Sequence, residues 1–119
     1  MGITTISATI SSLNKPATKL RGKFMVDTGA AYTVVPHHWA EKLNLRPVKT
    51  QEFALADGTS VTRKLGHAFV EINGDKTPSM VVIGEPGDSA LIGVLTLEGM
   101  GLMVDPFKRK LRPMRLILA

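Results

Sequence analysis

The chain has 119 residues, 44% of them hydrophobic, which is enough for one core and too little for two, so residues 1–119 are read as a single domain. It has no cysteine, which excludes disulfides, thiolate metal sites and thiol nucleophiles. The formal net charge is +5, a bias toward polyanions that says nothing about the fold by itself.

Short apolar stretches separated by turn signals recur along the chain, an all-β pattern. Ile3 to Leu13 reads as a first strand, ended by Asn14-Lys15-Pro16. Lys19 to Val26 reads as a second, and Tyr32 to Val35 continues as strand or turn. Pro36 suits the first position of a short helix through Leu43, with Trp39 and Leu43 four apart on one face. Gln51–Leu55 and Ser60–Leu65 flank Asp57-Gly58, a strong hairpin signal. Ala68–Ile72 and Pro78–Ile83 flank Asn73-Gly74-Asp75, a second one. A loop over 84–89 leads to a short helix over Gly93–Met100, closed by Gly99 and Gly101. Leu102–Val104 and Leu111–Leu118 read as final strands around Asp105-Pro106. No run approaches the roughly 20 apolar residues of a membrane helix, and Met1-Gly2-Ile3-Thr4-Thr5-Ile6 has no basic stretch ahead of an apolar one. The expectation is a cytoplasmic protein with no membrane partner.

The most informative segment is Asp27-Thr28-Gly29-Ala30, which occurs once, between Phe24-Met25-Val26 and Val34-Val35. Covering a carboxylate costs several kcal/mol unless it is paired or hydrogen-bonded, so a carboxylate placed there points to a use. The small residues Thr28 and Gly29 allow a second copy of the same backbone to approach.

Asp27-Thr28-Gly29-Ala30 after an apolar strand resembles the active-site loop of the retropepsin-like aspartic proteases. Leu55-Ala56-Asp57-Gly58-Thr59 resembles the flap of their small prokaryotic members. Leu91-Ile92-Gly93-Val94-Leu95 resembles the apolar-apolar-Gly motif that opens their late helix, and Met103-Val104-Asp105-Pro106 the strand before their terminal segment. The resemblance spans roughly Ile3 to Leu118. It implies an all-β, closed acid-protease barrel with one or two short helices, an aspartic endopeptidase that needs no cofactor and no metal, and an extended peptide substrate.

Such an enzyme needs two carboxylates. Asp88-Ser89-Ala90 is a poor second copy, because Ala90 carries a β-carbon where Gly29 has none and no apolar strand leads in. Asp57, Asp75 and Asp105 occupy ordinary turn positions. The remaining source is a second chain, with Asp27 facing Asp27 of its partner across a two-fold axis. The resemblance implies the same homodimer, since single-motif relatives pair while pepsin-like enzymes carry both motifs in one chain. It further implies that Thr28 hydrogen-bonds across the dimer, that Gly29 packs against the acidic pair with its amide on the carboxylate, and that Ala30 fills the space behind. Ala56, Asp57 and Gly58 are expected at the flap over the substrate, and Ile92 and Gly93 beside the active site. Two departures bear on the dimer and the flap. Val94 stands where viral enzymes usually carry Arg, and the flap has Asp-Gly in place of a glycine-rich tip. The run Met114 to Ala119 reads either as part of an inter-subunit sheet or as a strand within its own subunit.

Two other functions are open. One is a catalytically silent protein of the same fold that binds peptides or acts as a scaffold. The other is a nucleic-acid-binding β-domain using Lys108, Arg109, Lys110, Arg112 and Arg115; aromatics are only 5% and do not interleave with this run, which reads more simply as a charged hairpin edge. His37 and His38 point about 100° apart on a helix and do not chelate together; His37 and Glu41 share a face, but two ligands do not make a zinc site. No Gly-x-Ser-x-Gly or P-loop pattern is present.

Overall fold

The computed structural model describes residues 3–119; Met1 and Gly2, part of the start read above for targeting signals, lie outside them. Strands β1 (Thr4–Ser11) and β2 (Lys19–Val26) form an antiparallel pair from Thr4↔Val26 to Ser11↔Lys19. Lys19, Arg21 and Lys23 are exposed along β2 while Phe24 is fully buried, so the strand's alternation separates solvent from core. Strand β3 (Thr33–Val35) leads through Pro36 into helix α1 (His37–Lys42). Strands β4 (Pro47–Ala54), β5 (Ser60–Ile72) and β6 (Asp75–Ile83) follow as an antiparallel meander through the two hairpin turns the sequence signals. Two-residue β7 (Leu91–Ile92) precedes helix α2 (Val94–Gly99), and β8 (Leu102–Asp105) pairs with β9 (Lys110–Pro113) as a separate ribbon.

The larger sheet runs β1-β2-β7-β3-β6-β5-β4, and β1 also pairs β5 from Thr9↔Glu71 to Ser11↔Phe69. The protein is thus mostly β with two short helices. Strand β7 sits between β2, to which it is parallel, and β3, to which it is antiparallel. This wedge brings the end of β2, and so Asp27, against Ile92. Phe24, Ile10, Leu65, Ile72, Ile92 and Leu97 fill the core at 2% exposure or less; each such side chain contributes about 1.5–3 kcal/mol relative to an exposed one. Trp39 of α1 meets Phe24 edge-on at 5.5 Å.

Four readings need correction. Pro36 caps α1 from outside with an extended ψ of 149°, and the helix starts at His37. Ser60–Leu65 and Ala68–Ile72 are one strand: Gly66 is there because a β-carbon would lie 2.6 Å from the Arg46 carbonyl oxygen, not because the chain turns. Strand β4 starts at Pro47, earlier than Gln51. The last strand stops at Pro113 and does not reach Leu118: the Met114 amide donates to the Gly101 carbonyl at 2.7 Å, and among the described residues no strand pairs with 115–119. Met114–Ala119 is therefore not a strand within its own subunit, and Leu116, Ile117 and Leu118 are 67%, 80% and 104% exposed.

Candidate active site

Asp27 leaves the end of β2 with its amide donating to the Ile92 carbonyl at 3.0 Å. Its Oδ1 accepts from the Gly29 amide at 2.9 Å, so a donor of the loop itself orients the half-buried carboxylate. A β-carbon on Gly29 would stand 3.2 Å from the same oxygen and crowd this contact. The Ala30 amide returns to the Asp27 carbonyl at 3.2 Å. Helix α2 then secures the loop. Its first amides have no partner within the helix, and those of Val94 and Leu95 donate to the carbonyls of Ala30 and Ala31 at 2.8 and 3.0 Å.

Gly93, at the start of that helix, is fixed by steric exclusion: a β-carbon would lie 2.4–2.7 Å from backbone atoms of Tyr32 and Ala31. Its amide donates to Thr33 Oγ1 at 3.1 Å. Thr33 Oγ1 is 2.7 Å from Thr96 Oγ1, which is 2.8 Å from Ser79 Oγ. This hydroxyl chain, with Thr33 and Thr96 fully buried, ties β3, α2 and β6 together beneath the loop. Ile92 and Gly93 thus hold the loop's floor.

Asp27, Gly29 and Ala30 line a cleft of about 680 Å³. Its walls include Tyr32, Val34, Phe53, Val61, Val82 and Leu91. Phe53 and Val61 face each other across the β4–β5 hairpin, and Phe53 meets the Tyr32 ring edge-on at 6.0 Å. The hairpin tip carries Ala56, Asp57 and Gly58, all exposed, but only Ala56 of the three lines the cleft. The Asp57 carboxylate is turned into its own turn, where the Thr59 hydroxyl and amide donate to Oδ1 at 2.6 and 3.0 Å. Those donors, the hydroxyl first, hold its carboxyl below the usual carboxylate range. Gly58 closes the turn at φ +88°. Thr28 faces away from the cleft, into a separate hollow with Val94, Leu97, Leu102, Val104 and Met114.

Arg63 and Asp88 are cleft residues that the sequence reading did not bring to the site. Arg63 Nε and Nη2 donate to Asp88 Oδ2 and Oδ1 at 2.7 and 2.9 Å. Alternation along β5 placed Val61 and Arg63 on one face and was the available signal; the pairing with a residue 25 positions on was not local. Asp88 is committed to this contact. His37 Nε2 lies 3.4 Å from Glu41, and its Nδ1 is 3.1 Å from the Gly84 carbonyl; among the described residues no group of three or more metal-ligating side chains occurs. Among the same residues, no helix is long and apolar enough to cross a membrane.

The family model described as gag-polyprotein putative aspartyl protease matches residues 18–99. The chain belongs to that family. The match covers the Asp27 loop, the β4–β5 hairpin and Leu91-Ile92-Gly93, and leaves out β1, β8 and β9. The resemblance to retropepsin-like proteases read from the sequence is therefore shown at the level of the family, and the chain carries an aspartyl-protease-like domain. A comparison with curated proteins finds no match.

Proposed function

We propose that the protein is an aspartic endopeptidase that works as a homodimer, Asp27 of each subunit supplying half of the catalytic pair. The observation that carries this reading is the Asp27 carboxylate, held by the Gly29 amide at 2.9 Å on the rim of a cleft walled by apolar side chains and a hairpin. An aspartyl-protease family membership with a single Asp-Thr-Gly-Ala segment supports a two-chain site. In this reading the β1–β5 pairing closes each subunit into a barrel.

Two carboxylates about 3 Å apart share one proton. The ionised one takes a proton from water as that water attacks the scissile carbonyl, and the protonated one donates to the carbonyl oxygen. Collapse of the tetrahedral adduct passes a proton to the leaving amine, and no covalent enzyme intermediate forms. Thr28 then bonds across the dimer, Gly29 and Ala30 support the pair, and the tip at Ala56, Asp57 and Gly58 closes over an extended peptide. Main-chain hydrogen bonds to the strand edges hold that peptide, while Tyr32, Phe53 and Leu91 offer apolar contacts to its side chains.

Asp27→Asn tests the reading. Cleavage of an unstructured protein substrate at acidic pH is expected to vanish in the variant, with the sedimentation behaviour of the wild type retained. Undiminished cleavage by Asp27→Asn removes the proposal. The substitution of Val94 for the usual viral Arg favours one second reading, a peptide-binding protein of the same fold whose weak dimer never assembles the acidic pair. A strictly monomeric wild type that binds peptide without cutting it selects that reading.

A further inference from the structure

A second concave site lies away from the Asp27 cleft and shares no lining residue with it. It is a hollow of about 450 Å³ between the outer face of β1–β2, the β5–β6 turn and the start of β9. Arg21, Arg109 and Lys110 line it with Ser7 and Thr9, and Glu71 is the one carboxylate among its lining residues. Glu71 is paired in register with Thr9 of β1 and Lys76 of β6, and the Lys76 ammonium lies 4.6 Å from the centroid of the Phe69 ring. Lys19 and Lys23 flank Arg21 on the same exposed face of β2, spaced at alternate residues, about 6.7 Å apart along an extended strand. Across the pair, Ser7 faces Lys23 and Thr9 faces Arg21, so hydroxyl donors alternate with cations. Among the described residues none of these five cations has a salt-bridge partner.

The β8–β9 turn presents the rest of the site. The Phe107 and Lys108 amides both donate to Asp105 Oδ1, at 3.0 and 3.1 Å, which fixes the turn. Arg109 adopts φ +52°, the left-handed region. Among the described residues, the other two non-glycine positions with positive φ are Asn44 and Asn73, a residue type that tolerates it. Arginine is a poor choice for that backbone, and a strained position of this kind points to a use for the side chain. Phe107 is 92% exposed on the same turn. Phe107 stands two residues before Arg109 at the edge of the basic run, which the sequence reading took as having no interleaved aromatic.

From this geometry we propose that the groove binds single-stranded nucleic acid, with Arg21, Arg109, Lys110 and the β2 lysines on phosphates and Phe107 as a stacking face for a base. Cations with hydroxyl donors suit the phosphate and sugar, and an exposed aromatic beside them suits unpaired bases. The site draws on β1, the β8–β9 turn and β9, outside the span matched by the protease family, as well as on β2 and the β5–β6 turn within it, and is independent of the proposed peptidase activity.

The experiment is fluorescence anisotropy of a labelled oligothymidine against the full chain over a salt series. Wild type is expected to bind, with log Kd rising linearly in log salt. Arg109→Gly, which relieves the left-handed backbone, is expected to keep or raise the Tm while weakening binding at least threefold. The triple variant R21A/R109G/K110A is expected to lower the salt slope by about 2, at roughly 0.7 per lost phosphate contact. Phe107→Ala is expected to weaken binding about fivefold or more with the slope unchanged, and Asp27→Asn to bind as wild type. Absence of binding at low salt, equal binding by the folded triple variant, or cosedimentation with phosphatidylserine vesicles in preference to the oligonucleotide overturns the proposal.

Discussion

Arg63 and Asp88 form a two-pronged ion pair across the cleft wall, Nε to Oδ2 at 2.7 Å and Nη2 to Oδ1 at 2.9 Å. It joins the strand descending from the hairpin tip to the loop entering β7, two segments that must stay in register for the cleft to keep its shape. The Glu85 amide adds a third donor, to Asp88 Oδ2 at 2.8 Å. Both side chains are 22% exposed, so the pair is partly screened and contributes about 1 kcal/mol.

This pair sets an acid limit. The Arg63 donors hold the Asp88 carboxyl below the usual carboxylate range, and Asp88 raises the Arg63 pKa in return. A depressed carboxyl stabilises the fold fully above its unfolded value, about 3.9, and that stability is lost as pH falls through the lower folded value. Asp88→Asn is therefore expected to melt several degrees below wild type at pH 5–7, with the gap closing below about pH 4. Thermal melts of both proteins from pH 3 to 7 check this; a gap that persists unchanged at pH 3 contradicts it.

Two glycines near the site separate steric exclusion from conformational demand. Gly93→Ala drives a β-carbon to 2.4 Å from the Tyr32 backbone, where nothing can yield. The expected loss is about 3 kcal/mol or more, at or beyond the upper range for overpacking. Gly58→Ala meets no atom within 4 Å but sits at φ +88°. Its expected cost is about 1–2 kcal/mol of backbone strain, with the fold intact. Urea denaturation of both variants distinguishes these outcomes, and equal losses contradict the distinction.

How much of this was legible in the sequence follows from range. Lys19–Val26 was read with its observed bounds because its ends are marked locally, by Asn14-Lys15-Pro16 before and Asp27-Thr28-Gly29 after. The two hairpins were legible from Asp57-Gly58 and Asn73-Gly74 for the same reason. Strand β7 was quoted as a motif but not read as a strand, because two residues have no period; its pairing with β2 and β3 decides it. Gly66 looked like a break and is a close approach to Arg46. Asp88 was set aside as a second catalytic carboxylate on local grounds, but its pairing with Arg63 is a tertiary fact that no local pattern carries.

The hydroxyl chain beneath Asp27 predicts a stability loss from an isosteric change. In Thr33→Val the shape survives, but the buried Gly93 amide loses its acceptor, Thr33 Oγ1 at 3.1 Å. Thr96 keeps Ser79 at 2.8 Å, so one orphaned donor is the main consequence. The expected cost is about 1–3 kcal/mol. Amide hydrogen exchange at Gly93 is expected to quicken more than at Ile10 or Phe24, whereas a uniform change across the core points to repacking instead.

The exposed tail gives a test of assembly that leaves the subunit alone. Leu116, Ile117 and Leu118 follow the last strand with little cover, and Met114 is tied to Gly101 just before them. Exposed apolar side chains in a row are costly to leave in water and suit an interface. Deleting residues 115–119 removes few contacts within the chain, so the melting temperature measured under dilute, monomeric conditions is expected to change by less than about 2 °C. If the tail enters an inter-subunit sheet, the same deletion weakens the dimer at least tenfold in sedimentation equilibrium and lowers peptide cleavage in proportion to the dimer lost. A truncated chain that dimerises and cleaves as the full chain does places the two-fold contact elsewhere, with the hollow beside Thr28 and Val94 offering an apolar surface next to the Asp27 loop.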